Sequence, residues 1–131
     1  MKRSKIQHQL ALFISMVALA TLLAPAGAMA GDAAAGKTVY TVNCLSCHGE
    51  TGKGDGPVGM VLQPPPRDFS VGEFKFDTDK DGKVGTDADL VAVITQGAGA
   101  FGGNQMMAPW GGMLSEDDIA NVVAYIHTLK Q

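Results

Sequence analysis

The chain lacks the excess of positive charge that binding to a polyanion requires. Acidic residues outnumber basic ones by 13 to 10 over 131 residues, and three of the ten basic residues, Lys2, Arg3 and Lys5, crowd the very start. Beyond that start, seven basic residues face thirteen acidic ones, a net charge of −6. Such a balance argues against nucleic-acid binding through a basic face and for electrostatic steering toward a positively charged protein surface. A membrane-spanning run is missing as well. Leu10 to Ala24 is apolar almost throughout, but it falls short of the roughly 20 residues a spanning helix needs, and Pro25 closes it. No cysteine follows this stretch directly, so no thiol stands at the usual place for a lipid anchor. Cysteine is scarce altogether: Cys44 and Cys47 are the only two.

The basic start, the short apolar stretch and the small residues Ala28-Met29-Ala30 together read as a secretory signal over residues 1–30, cut before Gly31. Residues 31–131 are then one exported domain with no stable membrane insertion.

Two cysteines in an exported protein usually form a disulfide. Their spacing argues otherwise. Cys44-Leu45-Ser46-Cys47-His48 is the C-x-x-C-H pattern of c-type haem attachment. Residues three apart on a helix share a face, so the two thiols reach two vinyl groups on one edge of a porphyrin while His48 turns to the iron. A thioredoxin-like dithiol needs a βαβ surround, which is absent. A structural zinc site needs four N or S ligands, and the remaining candidate, His127, lies on a separate helical segment. The export signal and the motif together place the protein in the periplasm.

A second iron ligand belongs well downstream, on a loop that folds back over the ring. Gly97 to Gly112 is such a loop, rich in glycine and carrying Met106-Met107-Ala108-Pro109-Trp110. Met107 is the expected ligand, because the M-x-P-W spacing sets a rigid proline and a large aromatic, Trp110, just behind it. Met106 is the alternative, and Met60 and Met113 read as core filling.

Taken together, Gly36, Tyr40, Cys44-Leu45-Ser46-Cys47-His48, Pro64-Pro65-Pro66-Arg67 and Met107-Ala108-Pro109-Trp110 resemble the class I, monohaem cytochrome c family over nearly the whole exported chain. The resemblance implies an all-α fold. Crossed N- and C-terminal helices and a middle helix would surround one covalent haem c with one edge exposed. It also implies that Gly36 lets an aromatic of the last helix approach, with Tyr125 best placed for this, and that Arg67 lies near a haem propionate. Arg67 and Trp110 thus join Cys44, Cys47, His48 and Met107 as cofactor-binding candidates.

Each helix has its own sequence support. The first runs from Ala33 to Cys44 behind the N-cap Asp32. The third starts at Thr86, with Asp89 completing a capping box, carries Leu90, Val91 and Ile94, and ends at Gly97. The last starts at Ser115 before Glu116, Asp117 and Asp118. Ile119, Val122, Val123, Ile126 and Leu129 form its apolar stripe, with His127 at the border.

One stretch stands apart from the haem plan. Asp77-Thr78-Asp79-Lys80-Asp81-Gly82 has the D-x-D-x-D-G spacing of a calcium loop. Position twelve is Ala88 rather than glutamate, so Asp77, Asp79 and Asp81 would need Asp89 in that role. The alternative is a polar turn.

With both axial positions filled by protein, the iron offers no substrate site, and outer-sphere electron transfer remains. The expected protein is an electron carrier, not an enzyme, serving redox partners with a basic docking surface. Two alternatives stand beside it: a haem subunit of a larger oxidoreductase, and a haem enzyme or sensor whose methionine dissociates.

Overall fold

The computed structural model describes residues 30–131. The signal expected over residues 1–30 lies outside them apart from Ala30. Among the described residues the regular structure is helical, with no strand, in agreement with the all-α expectation. The elements are α1 (Ala33–Asn43), α2 (Leu45–His48), a 3₁₀ turn at Gly59–Val61, α3 (Asp87–Gln96), a second 3₁₀ turn at Ala98–Phe101, and α4 (Glu116–Thr128).

Helix α1 starts where Asp32 accepts hydrogen bonds from the amides of Ala34 and Ala35. It ends one residue earlier than its apolar pattern suggests, with Cys44 as the C-cap. Helix α4 starts at a full capping box, in which Ser115 and Asp118 each accept from the other's backbone amide. Its stripe of Ile119, Val122, Val123 and Ile126 is buried, Val122 completely. Each such side chain contributes roughly 1.5–3 kcal/mol on leaving water. Leu129 caps the helix and is half-buried.

The two terminal helices pack directly on each other, and Gly36 sits at their crossing. A Cβ there would overlap the Asn121 carbonyl and come within 3.0 Å of the Tyr125 Cβ. The close approach is backbone to backbone, and the Tyr125 side chain also comes against the glycine, as the resemblance implied, through its Cβ rather than its ring. The Tyr125 ring packs instead on Tyr40, with centroids 5.2 Å apart. Tyr40 is buried and donates its hydroxyl to the Gly49 carbonyl at 2.8 Å. Burial first, then the nearby Cys44, pushes the Tyr40 hydroxyl well above the usual tyrosine range, so it remains a donor at every physiological pH.

Helix α3 lies against α4, with Leu90 and Ile94 buried and Val91 at the solvent side. Thr86 and Asp89 form the expected capping box. His127 stands at the surface border as expected, and it has a partner there. Its Nε2 meets Asp87 Oδ1 at 2.8 Å, joining the end of α4 to the start of α3.

The Gly36 crossing generates a stability test. Alanine at position 36 gains about 1 kcal/mol of helix propensity, but the overlap must push the helices apart, at about 1–3 kcal/mol or more. The holoprotein carrying Gly36→Ala is expected to melt several degrees below the parent. An unchanged or raised melting temperature would mean that the helices do not touch at this glycine.

Candidate functional site

The end of α1 and the short α2 place three reactive side chains in one helical turn. The amides of Cys47 and His48 both return to the Cys44 carbonyl, at 3.2 and 2.9 Å. The chain then turns back on α2: Gly54 donates to the His48 carbonyl at 2.8 Å, Gly56 to that of Cys47 at 3.2 Å, and Val58 to that of Ser46 at 2.9 Å. These bonds satisfy carbonyls that a helix of four residues leaves open, and they hold the motif rigid.

Cys44 and Cys47 are free and half-buried. Burial, and secondarily the neighbouring Cys47, pushes the Cys44 thiol up to about 11. A redox dithiol needs the opposite shift, so the thioredoxin-like reading has no electrostatic basis here.

His48 is buried with its ring stacked on Phe69, centroids 4.5 Å apart and planes 13° off parallel. Its Nδ1 lies 3.3 Å from the Arg67 carbonyl. A carbonyl can only accept, so Nδ1 carries the hydrogen and Nε2 keeps its lone pair. Burial lowers the imidazole pKa and the Arg67 bond partly offsets this. A neutral ring with one nitrogen held by a backbone carbonyl is the state in which histidine ligates a metal.

The methionine loop is fastened back onto α3 by its far leg. Trp110 donates to the Ile94 carbonyl at 2.9 Å and Gly111 to that of Thr95 at 3.1 Å, closing the C-terminal end of the helix. Gly97 ends α3 at φ 79°, where a Cβ would crowd the Met107 carbonyl. Met107 itself is bracketed, donating to the Asn104 carbonyl at 3.1 Å and accepting from Ala98 at 3.2 Å. It is half-buried against the hydrophobic core, whereas Met106 is 67 % exposed. Met60 and Met113, expected in the core, are also exposed, at 67 % and 65 %. Their neighbours Gly59 and Leu114 take the inward positions, leaving the two methionines on the solvent side.

Cys44, Cys47, His48, Arg67, Met107 and Trp110 all line one cavity of about 490 Å³. This volume is within the range of roughly 300–1,000 Å³ typical of cofactor sites. Aromatic and aliphatic side chains from α3, the 69–76 segment and the methionine loop complete its walls. The donor set of two thiols, a neutral imidazole and a thioether, in an apolar cavity of this size, fits a covalently attached haem. Arg67 is at the cavity as expected, but its main-chain carbonyl makes the recorded contact. The resemblance pointed to the side chain, and no residue type signals a carbonyl. Phe69 was also missed, since an aromatic 21 residues beyond His48 has no spacing rule to mark it.

Comparison with known proteins agrees with this geometry. Residues 33–130 match the family model described as Cytochrome c. The chain is 34 % identical over 116 residues to the cytochrome c6 of a Picosynechococcus species, covering 88 % of this chain and 89 % of that protein. It is 37 % identical over 101 residues to the Cbb3-type cytochrome c oxidase subunit CcoP of Azospirillum brasilense, covering 75 % of this chain but only 30 % of that longer subunit. A chain of the Kuenenia stuttgartiensis reducing HAO-like protein complex superposes with a TM-score of 0.62 at 38 % identity, covering 73 % of this chain and 41 % of that one.

The acidic loop lies before α3. Asp77, Asp79 and Asp89 bring carboxylate oxygens within 4.8 Å of one another. Asp81 is not among them. It accepts from the Lys83 amide at 2.8 Å and pairs with its ammonium at 3.2 Å. Asp89 is fully buried, and four donors occupy it: the amide and hydroxyl of Thr78 on one oxygen, those of Thr86 on the other. A carboxylate offers about four lone-pair sites, so the residue proposed to stand in for the calcium-loop glutamate is already saturated. The expectation of calcium at Asp77, Asp79, Asp81 and Asp89 finds no support. Asp89 instead knots the loop to the start of α3.

Those donors, the Thr78 amide foremost, hold the Asp89 carboxyl well below the usual carboxylate range. The unfolded chain therefore takes up this proton before the folded one does. The stabilisation is complete above about pH 4, the ordinary aspartate range, and is lost as pH falls through the folded value. Asp89→Asn is expected to lower the melting temperature at pH 7, with the gap to the parent narrowing below about pH 4. A gap independent of pH would show that the charge is not what Thr78 and Thr86 hold.

Proposed function

The chain belongs to the cytochrome c family, and from that premise we propose that it is a periplasmic carrier of single electrons in which His48 and Met107 would hold the iron of its haem. Family membership implies covalently bound haem c. When bound, that group supplies an iron that passes between ferrous and ferric states. The observation that carries the proposal is the single apolar cavity shared by Cys44, Cys47, His48 and Met107.

Each residue has a distinct part. Cys44 and Cys47 hold the cofactor to the chain through thioether bonds. His48 offers the Nε2 lone pair that its bond to the Arg67 carbonyl leaves free. Met107 offers a soft sulfur, which favours the reduced state and raises the potential. Trp110, packed against the core, stiffens the loop behind it. Two protein ligands leave no position for a substrate, so outer-sphere transfer is the chemistry that remains.

Met106 at the cavity is an exposed apolar side chain, as are Val58, Met60 and Val61 in the segment that leads to the cavity residue Leu62, a surface suited to brief docking. The acidic balance of the chain favours partners with a basic face. The periplasmic address rests on the signal-like start and on the C-x-x-C-H motif. Among the described residues no helix is long and apolar enough to cross a membrane. A second reading, a haem subunit within a larger oxidoreductase, is favoured by the relatives in which a region like this chain forms only 30 % or 41 % of the length. Gel filtration separates the two: a monomer supports the free carrier, and a stoichiometric partner supports the subunit.

The ferric holoprotein is expected to show the weak near-infrared sulfur-to-iron band. Met107→Ala should abolish it and let the ferrous protein bind carbon monoxide, while Met106→Ala should leave both properties unchanged. Loss of the band in Met106→Ala alone would transfer the ligand role to Met106. The cavity also sets the stability of the haem-free chain. Without the cofactor its apolar walls, Leu90, Ile94, Met107 and Trp110 among them, face water instead of a packed ring, and a domain's entire stability is only roughly 5–15 kcal/mol. The chain without haem is therefore expected to show no cooperative thermal transition by circular dichroism.

A further inference from the structure

The segment Pro64 to Arg67 touches both sides of the site. At one end the Arg67 carbonyl meets His48 Nδ1 at 3.3 Å. Three residues earlier, the Pro64 carbonyl accepts a hydrogen bond from Asn104 Nδ2 at 2.8 Å, across 40 residues of sequence. Asn104 is three residues before Met107, and two of its polar groups are committed to this loop. Its Oδ1 accepts from the Met106 amide at 2.9 Å, and its own carbonyl accepts from the Met107 amide at 3.1 Å. One asparagine thus shapes the turn that carries Met107 and fastens that turn to the proline segment holding His48. Pro64, Asn104, Met107, Arg67 and His48 all border the same cavity.

We propose that Asn104 is a positioning residue for Met107, and that its bond to the Pro64 carbonyl couples the methionine loop to the histidine side of the site. The inference rests on the reading of Met107 as the iron's sulfur ligand. Its physical content is simple. The methionine loop is fixed to α3 on its far leg by the Trp110 and Gly111 amides. On its near leg the Asn104 amide is the tie to the opposite rim. Without that tie, the near leg keeps its hydrogen bonds within the loop and the packing of Phe101 on Phe76, with centroids 6.2 Å apart, but no hydrogen bond to the opposite rim, and the state with Met107 swung away from the iron becomes more populated. Three proline rings in the partner segment hold the accepting carbonyl in place, so the asparagine closes onto a stiff anchor.

The side chain's two functions are separable. Asn104→Asp keeps an oxygen to accept from the Met106 amide but removes the donor to Pro64. Asn104→Ser does the same without adding charge, since its hydroxyl is too short to reach across the cavity mouth. The holoproteins are to be compared with the parent in the near-infrared sulfur-to-iron band, the reduction potential and the rate of carbon monoxide binding by the ferrous form. Both variants are expected to bind carbon monoxide roughly tenfold faster, the scale set by one neutral hydrogen bond. They should also lose the band at lower pH and have a lower potential, with melting temperatures within a few degrees of the parent. If both match the parent in all three readouts while Asn104→Ala alone departs, the local turn and not the bridge positions Met107, and the proposal is overturned. If all three variants match the parent, it is overturned as well. A parent protein that itself lacks the band and binds carbon monoxide freely would instead remove the methionine-ligand reading beneath it.

Discussion

The backbone contact between α1 and α4 is the constraint on which the other features rest. At Gly36 the two helices come close enough that no side chain fits between them, and this closeness buries Tyr40 and the Ile119, Val122, Val123 and Ile126 stripe. From there α1 runs without interruption to Cys44. The position of the first thiol is thus set by a helix crossing about two turns away. The Tyr40 hydroxyl extends the same control past the motif, since it holds the Gly49 carbonyl directly after His48.

The site built on that base has its polar groups satisfied from the main chain. His48 is oriented by the carbonyl of Arg67, Met107 is bracketed by Asn104 and Ala98, and the open carbonyls of α2 are closed by Gly54, Gly56 and Val58. No buried side-chain polar atom among the described residues is left without a partner. Main-chain partners do not change charge, and this suits a centre that must gain and lose an electron with little rearrangement. The one buried carboxylate, Asp89, lies at the start of α3, where Thr78 and Thr86 hold it. There it braces the helix whose other end leads into the methionine loop.

Much of the arrangement was legible in the sequence because it follows local rules. Caps at Asp32, Thr86 and Ser115 announce helix starts through side-chain oxygens next to open amides. The α4 stripe follows from a period of 3.6, and the C-x-x-C-H motif places three reactive groups in a single turn. The contacts that were not legible share a different character. The carbonyl of Arg67 and that of Asn121 belong to the backbone, which every residue possesses. Asp89 was legible as the capping-box partner of Thr86, but it also looked like a metal ligand because its neighbours in sequence are acidic, and nothing in the sequence marked Thr78, whose amide and hydroxyl occupy its other oxygen. Met60 and Met113 were assigned to the core from residue type, and stand in water because their neighbours Gly59 and Leu114 take the inward positions.

By itself, then, the sequence determined the helices, their ends, the haem-attachment turn and the methionine-bearing loop, since each depends on interactions among residues a few positions apart. Tertiary structure alone decided which methionine is sheltered, which tautomer His48 adopts, that Thr78 completes the saturation of Asp89, and that Asn104 reaches Pro64. Those outcomes depend on groups brought together from 11 to 40 residues apart. Packing sets such distances, and packing is a property of the whole chain at once.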